Sequence, residues 1–320
     1  MQPWQLRPFQ PADYPAWAMI CSQIQPDHVV TAADLQWQDD QFEPKHWRVR
    51  SVIEQDGQII AVGQINHEIW RYHPQKLHMM IWVQPSQQRR GYGQALYAHL
   101  LAVSEPLAPI ALRTTIREDR PTALAFAAKR GFVEEQRAWE AHLDVAAFDP
   151  TPFAAVSAQV AAQGIQIRTL AELMQSDPDC WQKLYNLDAS TVTDVPSSEP
   201  GTPPSYASWE QLVRYASNLI PEAYFIALDG TRYVGVSCLS TLNDTRDLEV
   251  GYTCTDGHYR GRGIAFALKL QTIAYAQAVG TPFIRTENNS TNLPMLRINN
   301  GLGFVRGLAR ITLIARKEDQ

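Results

Sequence analysis

QRRGYGQALYAHLL (residues 88–101) and YRGRGIAFALKLQ (residues 259–271) decide how this 320-residue chain is read, because each sets paired glycines at the entrance to a helix-forming run. Their first glycines, Gly91 and Gly261, stand 170 residues apart. Arg113-Thr114 ends an apolar run in IALRTT as Arg285-Thr286 does in FIRTEN, and Gly131-Phe132 is echoed by Gly303-Phe304, both at 172 residues. Three landmarks in one order at a near-constant offset mark an internal repeat. Each half also opens on a strand-like segment, QLRPF or QIRTL, and then carries two alternating apolar runs around a turn. Asp56-Gly57 divides SVIEQ from QIIAVGQI, and Asp229-Gly230 divides YFIAL from TRYVGVSCL, the signature of a hairpin. Strand, glycine loop, helix, strand, helix and strand follow in both halves. The expected fold class is therefore α/β with a mixed sheet, built twice in tandem.

The repeat predicts a first domain over residues 1–146, a linker over 147–163 and a second domain over 164–320. The linker is AAFDPTPFAAVSAQVAAQG, with two prolines and a short helix-forming run. A second Pro/Ser-rich stretch, DVPSSEPGTPPS from Asp194, reads as a loop over a pocket in the second domain. The length fits two domains, and a net charge of -5 gives no electrostatic case for nucleic acid or an anionic membrane as partner. The four cysteines, Cys21, Cys180, Cys238 and Cys254, form no CxxC pair and are expected as reduced thiols. The opening MQPWQLRPFQ has no basic leader before an apolar core, and no apolar run approaches membrane length, so a cytoplasmic protein is expected.

A glycine turn that feeds a helix leaves backbone N–H groups pointing outward at the positive end of the helix dipole, which together make an anion site. Arg89 and Arg90, and Arg260 and Arg262, add charge around the two turns. A nucleoside-triphosphate loop would need Gly-Lys followed by Ser or Thr, and neither turn has it. A dinucleotide fingerprint wants a third small residue where Leu96 and Phe266 stand. What remains resembles the pyrophosphate loop of the GCN5-related N-acetyltransferase (GNAT) family, whose pattern is Gln or Arg, two residues, Gly, one residue, then Gly or Ala. Gln88 to Gly93 matches it in full, and Arg260 to Ala265 matches it in the second half, where His258 stands in the place first compared with Gln88. TENNSTNLPMLRINNGLGF, with Asn292, Met295, Asn299 and Gly303-Phe304, adds a family-like rhythm. The arrangement is similar to that of two-domain members such as mycothiol synthase.

This resemblance implies two tandem GNAT-fold domains, each a mostly antiparallel twisted sheet flanked by helices, and acetyl-CoA as co-substrate with no metal. The diphosphate would be held by Gln88, Arg89, Arg90, Gly91, Tyr92, Gly93 and Gln94, or by Arg260, Gly261, Arg262, Gly263, Ile264 and Ala265. The pantetheine arm would run beside the preceding strand, which ends at Val83 in the first half and carries Thr253, Cys254 and Thr255 in the second, with Asn292 near its far side. Direct transfer to an amine needs a base, an oxyanion donor and a proton for the thiolate. Glu249 is the expected base, Asp247 its rival on the same strand face, each equally readable as a solvated carboxylate.

Many family members carry a tyrosine four residues before the final Gly-Phe. Asn299 takes that place in the second half and Ala127 in the first, so catalysis is expected in the second domain and the first is expected to be catalytically degenerate. Without a strong acid at Asn299, Tyr252 or a water would supply the proton. Cys254 has no histidine at catalytic spacing and reads as a strand thiol, and His67, His73 and His78 have no metal-ligand spacing. The expected function is N-acetylation of a primary amine on a small molecule or peptide. The rival is a non-catalytic acyl-CoA-binding regulatory or interaction module. Oligomeric state and the identity of the acceptor are not legible.

Overall fold

The computed structural model describes residues 4–26, 30–42, 45–242 and 245–317. The chain forms two compact units: Met1–Glu135 with Ile311–Gln320, and Gln136–Arg310. The first unit contains β1 (Gln5–Pro8), α1 (Tyr14–Ile24), α2 (Ala32–Asp40), β2 (Arg48–Gln55), β3 (Gln58–Asn66), β4 (Lys76–Val83), α3 (Tyr92–Ser104), β5 (Ala111–Arg117) and α4 (Pro121–Ala128). The chain then runs through β6 (Val133–Asp144) and α5 (Ala154–Ala161) into the repeat of the same plan. That repeat comprises β7 (Ile165–Thr169), α6 (Leu170–Ser176), α7 (Cys180–Thr191), α8 (Tyr206–Trp209), β8 (Leu219–Asp229), β9 (Arg232–Thr241), β10 (Leu248–Thr255), α9 (Ile264–Ala278), β11 (Phe283–Asn289), α10 (Leu293–Gly301) and β12 (Val305–Arg316).

Within the first unit the strands run β1-β2-β3-β4-β5 and then the last residues of β12; within the second they run β6-β11-β10-β9-β8-β7. Only β4–β5 and β10–β11 pair in parallel, so each sheet is mixed and mostly antiparallel. The hairpins close where the sequence places them, with Gln55 opposite Gln58 and Asp229 opposite Arg232. The last strands differ from the expectation. Residues 136–144 of β6 lie in the second unit, in register with β11 from Phe283↔Asp144 to Asn289↔Ala138, while Ile311 and Leu313 of β12 join the core of the first. Residues 147–163 likewise fall inside the second unit, where α5 packs on α9. The repeat explains why either last strand suits either sheet: both are long alternating segments that follow a Gly-Phe.

Each sheet is covered by its glycine-turn helix. Leu96 and Leu100 of α3 are fully buried against β3, as are Ala267 and Leu268 of α9 against β9, and burying a leucine contributes about 1.5–3 kcal/mol. The approach is close because the facing strand position is glycine. A Cβ on Gly63 would lie 3.0 Å from Leu100 Cδ1, and one on Gly235 would lie 3.1 Å from Ile264 Cγ2. These positions are again 172 residues apart. The opposite face of the second sheet is covered by α6, α7 and α8 through Leu173, Leu184 and Trp209.

Candidate active site

Beyond three register pairs, Lys76↔Ala111 to His78↔Arg113, β4 parts from β5; β10 parts from β11 after two, Leu248↔Ile284 and Glu249↔Arg285. The other edges stay paired, so Met79–Val83 and Tyr252–Thr255 keep backbone groups facing a gap rather than a neighbouring strand. In the second unit a bulge between Val250 and Tyr252 accompanies the parting. Because Glu249 pairs with Ser240 and Tyr252 with Cys238, the bulge brings Tyr252 and Cys254 to the same face as Asp247 and Glu249.

At the head of each gap stands a glycine turn. Gln88 and Arg260 both close a 3-10 turn in extended conformation (φ -63, ψ 160 and φ -66, ψ 157). Each side chain donates back to the end of the preceding strand, Gln88 Nε2 to Val83 O at 3.2 Å and Arg260 Nε to Thr255 O at 3.3 Å. Gly91 and Gly263 then cap α3 and α9 at φ +91 and +81, which L side chains adopt only under strain. The equivalence is thus Gln88 with Arg260 and Gly91 with Gly263, at the 172-residue offset of the other landmarks. The comparisons of Gly91 with Gly261 and of Gln88 with His258 were displaced by two residues, because YRGRG offers two glycines at one spacing. No side chain caps either helix, so the first-turn amides of Tyr92, Gly93 and Gln94, and of Ile264 and Ala265, remain available to an anion. A Cβ at Gly91 or Gly261 would meet nothing within 4 Å, so the space over both turns is open.

The flanking arginines differ. Arg89 and Arg90 are exposed beside their turn. Arg262 lies over the Tyr259 ring at 4.7 Å, and Arg260 is held by Asp194 at 2.5 Å. Two residues on, Pro196 O accepts from Asn289 Nδ2 at 3.0 Å. The start of the Pro/Ser-rich stretch is therefore tied to both sides of the second gap, to the turn after β10 and to the last residue of β11.

The candidate catalytic groups separate by face. Arg285 binds Asp247 at 2.6 Å, and Asp247 is buried, so this carboxylate is committed to an ion pair. Glu249 is half-buried, and burial pushes its carboxyl above the usual range against the pull of Arg310 and Arg285. Two further carboxylates share its face. Glu287 stands two residues beyond Arg285 and pairs in register with Glu140 of β6, and Arg310 bridges both at 3.1 Å. Burial also raises Glu287, with Glu140 and Glu249 adding to it. The sequence reading missed both. Glu287 was legible as the next residue on the Arg285 face, whereas Glu140 belongs to a strand that the sequence assigned to the other domain.

Asn299 is buried on the opposite face, where its Nδ2 donates to Asn288 Oδ1 at 2.5 Å and its Oδ1 has no partner. Thr253 joins Ser237 at 2.8 Å, and Thr255 Oγ1 is buried without a partner. Asn292 caps α10 by accepting from Met295 N at 3.3 Å. Tyr252 Oη meets Thr191 Oγ1 at 3.1 Å, and burial pushes the Tyr252 hydroxyl and the Cys254 thiol far above their ordinary values, which keeps the thiol protonated.

In the first unit the gap contains a cleft of about 150 Å³ under α4, lined by Met79, Trp82, Tyr97, Thr115, Phe126 and Arg130 among others. His78, opposite Arg113, occupies the register position that Glu249 holds opposite Arg285, and burial lowers its pKa, so the ring is neutral. Arg113 is fully buried between Glu135 at 2.7 Å and Glu68 at 3.4 Å. Ala127 is buried where the second unit has Asn299. His67 is spent on the backbone, accepting from Trp47 N and facing Pro74 O, both at 3.0 Å. Among the described residues no cluster of three or more His, Cys, Asp or Glu is placed to hold a metal ion.

Known proteins share this plan. The model of the Acetyltransferase (GNAT) family matches residues 14–132 and 181–304, more than half of the chain. No curated protein sequence matches it. Among solved structures, a tandem GNAT protein from the clavulanic acid biosynthesis pathway is similar over 99% of this chain and 100% of its own, at 17% identity and a TM-score of 0.75. A GCN5-related N-acetyltransferase from Sphaerobacter thermophilus is similar over 98% and 95%, at 17% identity and a TM-score of 0.69. Members of the family generally use acetyl-CoA, and the two matched regions each take in one glycine turn and one gap. The chain belongs to the GNAT acetyltransferase family, as a two-domain member.

Proposed function

We propose that the protein is an acetyl-CoA-dependent N-acetyltransferase that acylates a primary amine of a small molecule or peptide, with the chemistry in the second unit. The observation that supports this most is the joint arrangement there of an open glycine turn, a parted strand edge and a carboxyl of raised proton affinity on that strand, Glu249. The coenzyme fits the residues present. First-turn amides of Ile264 and Ala265 and the Arg262 side chain face the diphosphate, and the free edge of Tyr252–Thr255 meets the pantetheine arm as an added strand. The unpartnered Thr255 Oγ1 and Asn299 Oδ1 are polar atoms that such an arm satisfies. The bound thioester supplies an activated acyl group, so no protein nucleophile is needed.

Glu249 removes the proton from the incoming ammonium, directly or through one water, and its raised pKa suits that task near neutrality. Tyr252, three residues along on the same face, is the nearest hydroxyl for the departing sulfur. The first unit holds a cleft but has Ala127 in place of a polar side chain and a neutral His78 in place of Glu249. That supports coenzyme binding without turnover there. Thiol release from acetyl-CoA, measured with a panel of primary amines, tests the reading: acceptor-dependent release that Glu249→Gln suppresses supports it. Tight coenzyme binding with no release for any amine instead favours a purely binding role.

A further inference from the structure

The second unit contains a carboxyl that none of the roles above employs. Asp188 lies on α7, on the face of the sheet that also carries Glu249 and Tyr252. Its Oδ2 accepts from Trp209 Nε1 at 2.9 Å; its Oδ1 is shut off from solvent and has no hydrogen-bond partner. The titratable groups facing it are Tyr224 of β8, Cys238 of β9, and Tyr252 and Cys254 of β10, none of them a cation. No ion pair reaches it among the described residues.

A carboxylate enclosed in this way is costly. Unpaired in an apolar setting it loses solvation that one indole N–H restores only in part, and burial pushes it up to about 7. The surroundings are aromatic: Tyr185 and Trp209 meet edge-on at 5.6 Å, and Tyr206 stands 6.0 Å from Trp209. The Pro/Ser-rich stretch closes over them, with Tyr185 Oη donating to Pro204 O at 3.0 Å. Aromatic faces around one acidic oxygen form a site for a cation with an apolar body, since ring quadrupoles and the carboxylate attract the same charge.

We propose that Asp188 Oδ1 is the anchor for the acceptor, which docks as an ammonium carried on an apolar or aromatic body. This rests on the acetyltransferase reading and names the substrate class of that same site. Binding supplies the hydrogen bond that Oδ1 lacks and the positive charge that no side chain provides, and it places the amine on the face of β10 that carries Tyr252 and Glu249. Asp188 is thus a specificity residue that acts before the transfer step.

The test is calorimetric titration of the full chain with 2-phenylethylammonium and with its uncharged counterpart 2-phenylethanol, in the wild type and in Asp188→Asn. The substitution keeps an acceptor for Trp209 and replaces the acidic oxygen. The expected result is a preference for the ammonium in the wild type, weakened about 10- to 100-fold in Asp188→Asn, with the alcohol bound alike by both. Equal affinity for ammonium and alcohol in the wild type, or an ammonium affinity unchanged by the substitution, overturns the proposal. The wild-type comparison alone decides it if the variant does not fold. A parallel titration with CoA separates the two levels: CoA bound without any ammonium preference sinks only the anchor, whereas no CoA binding sinks the acetyltransferase reading beneath it.

Discussion

Replacing Lys269 with Met should stabilise the protein, and by an amount that depends on pH in a defined way. Lys269 is on α9 at 1% exposure, its Nζ has no hydrogen-bond partner, and it faces the Phe304 ring at 4.9 Å. Burial pushes its pKa from the ordinary 10.5 down to about 7. At about 1.4 kcal/mol per tenfold change in proton affinity, that drop corresponds to a penalty of about 5 kcal/mol as an upper bound. The unfolded chain holds the proton more tightly, so the penalty is complete below pH 7, shrinks as pH rises, and vanishes above 10.5. Methionine has a similar volume and no charge to desolvate. Urea denaturation followed by fluorescence at pH 6.5 and pH 9.5 should show Lys269→Met the more stable at the lower pH, with the advantage shrinking by about 3 kcal/mol at the higher one. Tyrosine and cysteine titrations are common to both proteins and drop out of the difference. An advantage that does not change with pH, or a methionine variant less stable at pH 6.5, would show that this ammonium is solvated and refute the reasoning.

Three further outcomes follow from the site. Asp194→Asn frees Arg260 from an exposed ion pair and should tighten acetyl-CoA binding about 2- to 5-fold at low salt and less at high salt; weaker binding in the variant would contradict this. Glu249→Gln should lower kcat/KM about 100-fold or more and remove the acidic limb of its pH profile. That limb should lie above the ordinary carboxylate range in the wild type, since activity falls as pH drops through the raised pKa of Glu249, and a profile unchanged by the substitution would reassign the base. Glu135→Gln leaves the fully buried Arg113 short of a carboxylate and should cost about 3 kcal/mol of stability, read as a lowered urea midpoint with no change in coenzyme affinity.

The repeat was legible because its landmarks have local causes. A glycine that caps a helix, a two-residue hairpin and a Gly-Phe before a last strand each leave a mark within a few residues, so the order of elements and both gaps could be placed. What was not legible depends on contacts distant in sequence. Residues 136–144 and 311–316 have interchangeable alternation, and nothing in the chain says which sheet takes which. Glu140 therefore could not be grouped with Glu249 and Glu287, nor could the Asp247–Arg285 pair be told from a free carboxylate. The two-residue slip between Gly91 and Gly263 came from a sequence with two equally spaced glycines; only the left-handed cap identifies the equivalent residue. Asp188, midway along an ordinary helix, gave no signal at all, since its isolation is a property of three strands and a tryptophan.

The central claim is that main-chain amides at the glycine turns hold the diphosphate of a CoA thioester. Calorimetric titration of acetyl-CoA into the wild type and into the folded Gly91→Glu/Gly263→Glu double variant tests it directly, because each substitution sets a carboxylate over the amides and strains a left-handed cap. Saturable binding by the wild type that the double variant loses is the predicted result. Wild-type affinity retained in the double variant would contradict it.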